Sequence, residues 1–191
     1  MKVVILHAIQ SNPSAHWLPW LKKQLEEEHI EVVIPELSAP DHPDRAQWLA
    51  DAKAAIGSVD PDELILVGHS LGVTTALDYL EQAEMPVRGL VSTAGFYQDY
   101  GNELNSYFLK TKAIDMQVVR HHLTNAFVFY GDNDPYVTQE ALRAMADGLL
   151  VDPVVIKGGG HLNDEAGYTS FPQLFETVME LIDTPSLDFF A

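Results

Sequence analysis

The chain has 191 residues, 47% of them hydrophobic and 20% charged, enough for one folded domain with its own core. It contains no cysteine, which excludes a disulfide scaffold, a thiolate metal site and a cysteine nucleophile, and fits a reducing, cytoplasmic location. With 28 acidic residues against 11 basic and a net charge of −17, its surface repels phosphate backbones and anionic lipid, so neither nucleic acid nor membrane is an expected partner.

The first apolar run, at 3–7, is too short for the core of a secretion signal and reads as a buried strand. Residues 16–28 follow with Trp17, Trp20, Leu21 and Leu25 at helical spacing. A short strand is expected at 32–35 and a helix at 45–56, stopped near Gly57. A Leu/Ile/Val-rich strand at 63–67 leads into a helix at 70–82, and a fourth strand follows at 87–92. The fifth strand is expected at 126–130, a helix capped by Thr138 at 138–149, a sixth strand at 154–156, and a last helix at 171–182 with Pro172 in its first turn. Strand–helix alternation of this kind, with strands that read as continuous apolar runs, predicts a doubly wound, mainly parallel six-stranded sheet. One domain is expected across 1–191, without an internal linker. Residues 95–125 are longer than a crossover helix needs and hold Phe96, Tyr97, Tyr100, Tyr107 and Phe108. They read either as a short cap or lid, or as an elongated crossover helix with irregular ends.

Gly68-His69-Ser70-Leu71-Gly72 matches G-x-S-x-G between an apolar strand and a helix, the setting of a nucleophile elbow. A serine aimed out of so sharp a turn needs small neighbours, and Gly68 and Gly72 supply them. The turn also places the Leu71 N–H at a helix N-terminus, where it can hold a developing oxyanion. The alternative is a plain turn with Ser70 as an N-cap. Serine needs a base to become a nucleophile. His161, in the glycine-rich run Gly158-Gly159-Gly160-His161 after the last strand, is the choice among eight histidines. The acid that orients it is expected from Gly131-Asp132-Asn133-Asp134-Pro135, with Asp134 preferred and Asp132 in reserve as a turn former. The order Ser70, Asp134, His161 is the Ser…Asp…His order of α/β-hydrolases. A second oxyanion donor is expected in the loop after the first strand, from the Ile9 N–H, with Gln10 next; His7 reads as a buttress of that loop. No H-E-x-x-H pattern occurs, and neither metal nor organic cofactor is expected.

These residues, together with His16-Trp17-Leu18-Pro19-Trp20-Leu21-Lys22-Lys23, resemble the small serine hydrolases that include retinoblastoma-binding protein nine and the YdeN-type proteins. The resemblance runs nearly end to end. It implies a compact α/β-hydrolase fold lacking the usual first two strands, strand order 2-1-3-4-5-6, and a Ser70–Asp134–His161 triad. One departure stands in the first loop, where such chains commonly carry His-Gly and this one has His7-Ala8. Alanine does not reach positive φ cheaply, so the loop that carries Ile9 is expected to sit differently. The expected activity is hydrolysis of a small ester, thioester or amide through an acyl-enzyme on Ser70. The alternatives are acyl transfer to an alcohol or amine, and a non-catalytic binding or regulatory protein on the same scaffold.

Overall fold

The computed structural model describes residues 1–185. Six strands form one sheet: β1 (Lys2–Leu6), β2 (Glu31–Val33), β3 (Leu64–His69), β4 (Val87–Thr93), β5 (Leu123–Gly131) and β6 (Val154–Ile156). The order is β2-β1-β3-β4-β5-β6, and every pairing is parallel. The expected fold class and strand order are both what the molecule has.

Alternate residues of each strand feed the two faces, which is why the strands read as unbroken apolar runs. Val4, Leu6, Leu64 and Leu66 join one cluster with Trp48 and Ile56 of α2 (Arg45–Ile56), Leu77 and Leu80 of α3 (Leu71–Glu81), and Leu142 and Met145 of a later helix, Gln139–Leu149. Val3, Ile5, Ile65 and Val67 join the other, with Leu21 and Leu25 of α1 (Leu18–Glu27) and Leu174 and Val178 of the last helix, Pro172–Asp183. Thr138 caps its helix as expected, accepting from the Ala141 N–H at 3.2 Å. Among the described residues, no helix is long and apolar enough to cross a membrane.

Two expectations need correction. The first helix begins at Leu18, not at residue 16, because His16 takes a positive φ of 53° and Pro19 favours the helix's opening turn. His16 is thereby left in a loop. Residues 95–125 do not form one long crossover helix. They fold into two short helices, α4 (Ser106–Lys110) and α5 (Met116–His121), and β5 already begins at Leu123 because that residue pairs with Val87. With these, the Gln139–Leu149 helix is α6 and the Pro172–Asp183 helix is α7.

Candidate active site

Strand β3 ends at His69 and α3 begins at Leu71, so Ser70 alone makes the turn. Its φ of 53° and ψ of −122° lie where a side chain is strained, at a cost of about 1–3 kcal/mol. Two bonds hold the turn: the Ser70 N–H donates to the Thr93 carbonyl at 2.9 Å, and the Thr93 hydroxyl donates to the Gly68 carbonyl at 2.7 Å. The Ser70 hydroxyl makes no capping bond to α3, which removes the plain N-cap alternative.

The two glycines of the motif do different jobs. A Cβ on Gly68 would lie 2.8 Å from Val73 Cα, so this glycine lets strand and helix close on each other. A Cβ on Gly72 would lie 2.3 Å from the Leu6 carbonyl oxygen and 2.6 Å from that of His7. Gly72 therefore lets the first turn of α3 settle on the end of the neighbouring strand β1, where the first loop departs.

Asp134 and His161 are 27 residues apart and meet at 2.7 Å, Asp134 Oδ2 to His161 Nδ1. Parallel pairing of β5 with β6, Phe129 with Val154 through Gly131 with Ile156, brings their two loops side by side. Three consecutive side chains then clasp the histidine loop. Asp132 accepts from the Gly158 N–H at 2.7 Å, Asn133 from the Gly160 N–H at 2.8 Å, and Asp134 from the His161 ring. Asp134 is itself steadied through Oδ1, which accepts from the Tyr136 and Val137 N–H groups at 2.8 and 3.0 Å. Asp132 is thus a tether of the loop and not the partner of His161. Gly131 must lack a side chain here, since a Cβ would stand 2.3 Å from the Gly160 carbonyl oxygen.

A residue the sequence reading did not single out ties this loop back to the elbow. His69 is fully buried, and its Nε2 bonds the His161 carbonyl oxygen at 2.9 Å. A carbonyl only accepts, so Nε2 carries the proton. Burial, reinforced by neighbouring His161, pushes the His69 ring well below the usual histidine range and keeps it neutral. The residue before Ser70 thus holds the backbone of His161.

A family model described as serine hydrolase matches residues 3–180. The chain belongs to the serine hydrolase family. The chain is 24% identical over 182 residues to YdeN of Bacillus subtilis, covering 93% of this chain and 94% of the other. The crystal structure of that ydeN product superposes with a TM-score of 0.89 at 23% identity, over 96% of this chain and 99% of that one. A YdeN-like hydrolase from Pectobacterium atrosepticum follows at TM-score 0.72 and 16% identity, over 95% and 90% of the two chains. The thioesterase domain from the curacin biosynthetic pathway is similar at TM-score 0.65 and 15% identity, over 93% and 90%.

In this chain, the first loop is set by His7. Its Nδ1–H donates to the Ala8 carbonyl at 2.8 Å, and its Nε2 accepts from the Leu37 N–H at 3.1 Å. Both nitrogens are used and the ring is fully buried, which lowers its pKa and leaves it neutral, the buttress expected of it. The strained backbone lies at Gln10 (φ 53°), not at Ala8, so alanine carries no penalty here. Gln10 is also ruled out as a free donor, because its N–H is taken by the Pro40 carbonyl at 2.8 Å. Neither the Ile9 nor the Leu71 N–H donates to another backbone group among the described residues.

Ser70, His161 and Ile9 line one pocket of about 210 Å³. Several polar residues that sequence reasoning missed share it, among them Ser11, His16, Asn105 and Glu165. Tyr136 sits edge-on to the His161 ring at 5.2 Å between centroids, and its hydroxyl donates to Glu165 at 2.5 Å. That bond to a carboxylate raises the phenol's pKa. His16 meets Asp164 at 3.0 Å, Nδ1 to Oδ1. Periodicity marks none of these, since they lie in loops or, for Asp164 and Glu165, in a three-residue 3-10 turn. Among the described residues, no group of three or more His, Asp or Glu side chains is placed to hold a metal ion.

Proposed function

We propose that this protein hydrolyses a small ester or thioester through an acyl-enzyme on Ser70. The observation that carries the reading is the 2.7 Å bond from Asp134 to His161 Nδ1, beside the pocket that Ser70 and His161 share. With Nδ1–H donated to the carboxylate, His161 Nε2 is left with its lone pair as the base. It takes the Ser70 proton as the oxygen attacks the acyl carbonyl, and the negative charge that forms on the carbonyl oxygen is received by the Leu71 and Ile9 N–H groups. Collapse of the tetrahedral intermediate expels the alcohol or thiol, which takes the proton from His161. Water then attacks the acyl-serine with His161 again as base, releasing the acid and restoring Ser70. Asp134 keeps the ring in the required tautomer and stabilises its charged form. The clasp from Asp132 and Asn133 supports the same loop, so the base is positioned before substrate arrives.

The pocket's size favours short acyl groups. The test is fluorophosphonate labelling of the wild type beside Ser70→Ala, read by intact-protein mass. One adduct on the wild type and none on the variant is expected. A folded wild type that takes no adduct would overturn the reading and favour a binding protein on a hydrolase scaffold.

A further inference from the structure

Buried polar atoms without a partner are few among the described residues, and three of the five are on residues that line this pocket: Ser11 Oγ, Asn105 Oδ1 and His69 Nδ1. Each such atom destabilises the fold when left unpaired. Ser11 and Asn105 are 8% and 3% exposed. The Asn105 amide donates to the Tyr100 hydroxyl at 2.9 Å, which accounts for one end of the group and leaves the other open. No local backbone need explains Asn105, because it precedes α4 without making a side-chain cap. Ser11 comes from the first loop, so two separate segments each bring an unpaired group to the lining of one pocket.

The chemistry that would satisfy both is a hydroxyl. Asn105 Oδ1 needs a donor, and turning the amide over would make the open end a donor in need of an acceptor. A hydroxyl serves either arrangement, and it serves the Ser11 hydroxyl as donor or acceptor. An anionic group fits poorly. No lysine or arginine lines the pocket, whereas the Glu165 carboxylate does. A buried carboxylate or phosphate would be left without a counter-charge.

We propose that Ser11 and Asn105 form a hydroxyl-recognition subsite, and that the substrate is an uncharged short-chain ester or thioester bearing a hydroxyl group near the scissile carbonyl. This rests on the serine-hydrolase reading above. The hydroxyl can belong to the acyl part or to the alcohol part, and paired isosteres distinguish the two. The acyl arm compares 4-nitrophenyl 3-hydroxybutyrate with 4-nitrophenyl 3-methylbutyrate, and the alcohol arm compares 2-hydroxyethyl butyrate with propyl butyrate. In each pair a hydroxyl replaces a methyl, and rates are normalised to hydroxide-catalysed hydrolysis.

In one arm kcat/KM is expected to favour the hydroxyl member by about tenfold or more, as a site built around a polar group rejects the analogue that leaves it unpaired. Asn105→Leu and Ser11→Ala are each expected to reduce that preference to below about threefold. Fluorophosphonate labelling of the same preparations reports whether Ser70 is activated. Wild type that labels but shows no preference in either arm, or hydrolyses neither hydroxyl ester, overturns the subsite and leaves the hydrolase reading standing. A preference that survives both substitutions overturns it too. Wild type that does not label overturns the hydrolase reading, and the subsite with it.

Discussion

The two walls of the pocket are built on different principles. On one side the loops at 131–137 and 157–161 are joined by three successive side chains, and His69 holds the same histidine backbone from beneath. Elsewhere in the lining, the residues around α4 are tied to the body in part by Arg45. Its guanidinium grips Asp78 of α3 at 2.7 and 2.8 Å and accepts no partner change cheaply, since it also donates to the carbonyls of Phe108, Leu109 and Lys112. The first wall is fixed by many short bonds within one pair of loops. The second is held by scattered contacts to different elements, among them the Tyr107 hydroxyl donating to the Pro43 carbonyl at 3.2 Å and Phe108 buried against Trp48, and it carries the unpaired amide oxygen of Asn105. Precision is concentrated where a proton would move, and open hydrogen-bonding capacity where a substrate would be told apart.

The largest expected effect breaks the first wall. Asp134→Asn should lower kcat by about 10³–10⁴-fold with little change in fold, because the amide holds the wrong tautomer of His161. Asp132→Asn should cost less than about tenfold, since an amide oxygen can still accept from Gly158. Steady-state kinetics with a short-chain ester measures both, and equal losses would mean that the clasp rather than the ring partner governs activity.

Breaking the second wall should register first in stability. Arg45→Met strips buried Asp78 of its bidentate partner and leaves it only Lys112 Nζ at 3.4 Å, at a cost of about 3–5 kcal/mol, and Arg45→Met with Asp78→Leu should recover much of that loss. Urea denaturation reads the difference. A double variant no more stable than the single one would argue that the carbonyl bonds to α4, and not the ion pair, are what matters.

A smaller effect contrasts a glycine of the motif with one in an exposed loop. Gly72→Ala should destabilise by about 1–3 kcal/mol and lower labelling of Ser70, because its methyl meets backbone carbonyls of β1 that have nowhere to move. Gly101→Ala meets no atom within 4 Å, so any loss there comes only from its positive φ of 83°. Thermal melts and labelling rates on the two variants check this.

The smallest effect is on pH dependence. Burial holds the pKa values of folded His7 and His69 below the usual histidine value of about 6.5, so below that pH the unfolded chain binds more protons than the folded one. Their contribution to stability is fully present above about pH 6.5 and is lost as pH falls below it. Tm should therefore decline from pH 7 to pH 5, and His69→Gln should flatten the decline. An unchanged slope in that variant would place the proton uptake elsewhere.

Much of this was legible in the chain. The helix at Arg45–Ile56 and the strand at Val154–Ile156 carry their boundaries in local sequence, through Asp44 and Gly57 for the first and turn residues around the second. The elbow was legible because strain at one serine demands small residues beside it. The start of β5 was not, because Leu123 is a strand residue only through its pairing with Val87. Nor was His16, whose turn out of helical geometry depends on the loop it enters. The two short helices of 95–125 escaped detection because each is too brief to show a period.

The sequence by itself determined the alternating elements, the parallel sheet they imply, the elbow at Ser70 and the choice of Asp134 and His161, because periodicity, turn chemistry and motif order are properties of neighbours along the chain. Only the tertiary structure decided that Asp132 is a tether, that His69 holds the His161 backbone and that Ser11 and Asn105 line one pocket with polar atoms to spare. Those relations join residues tens of positions apart, and the distances between them are set by sheet register and loop packing that no local pattern records.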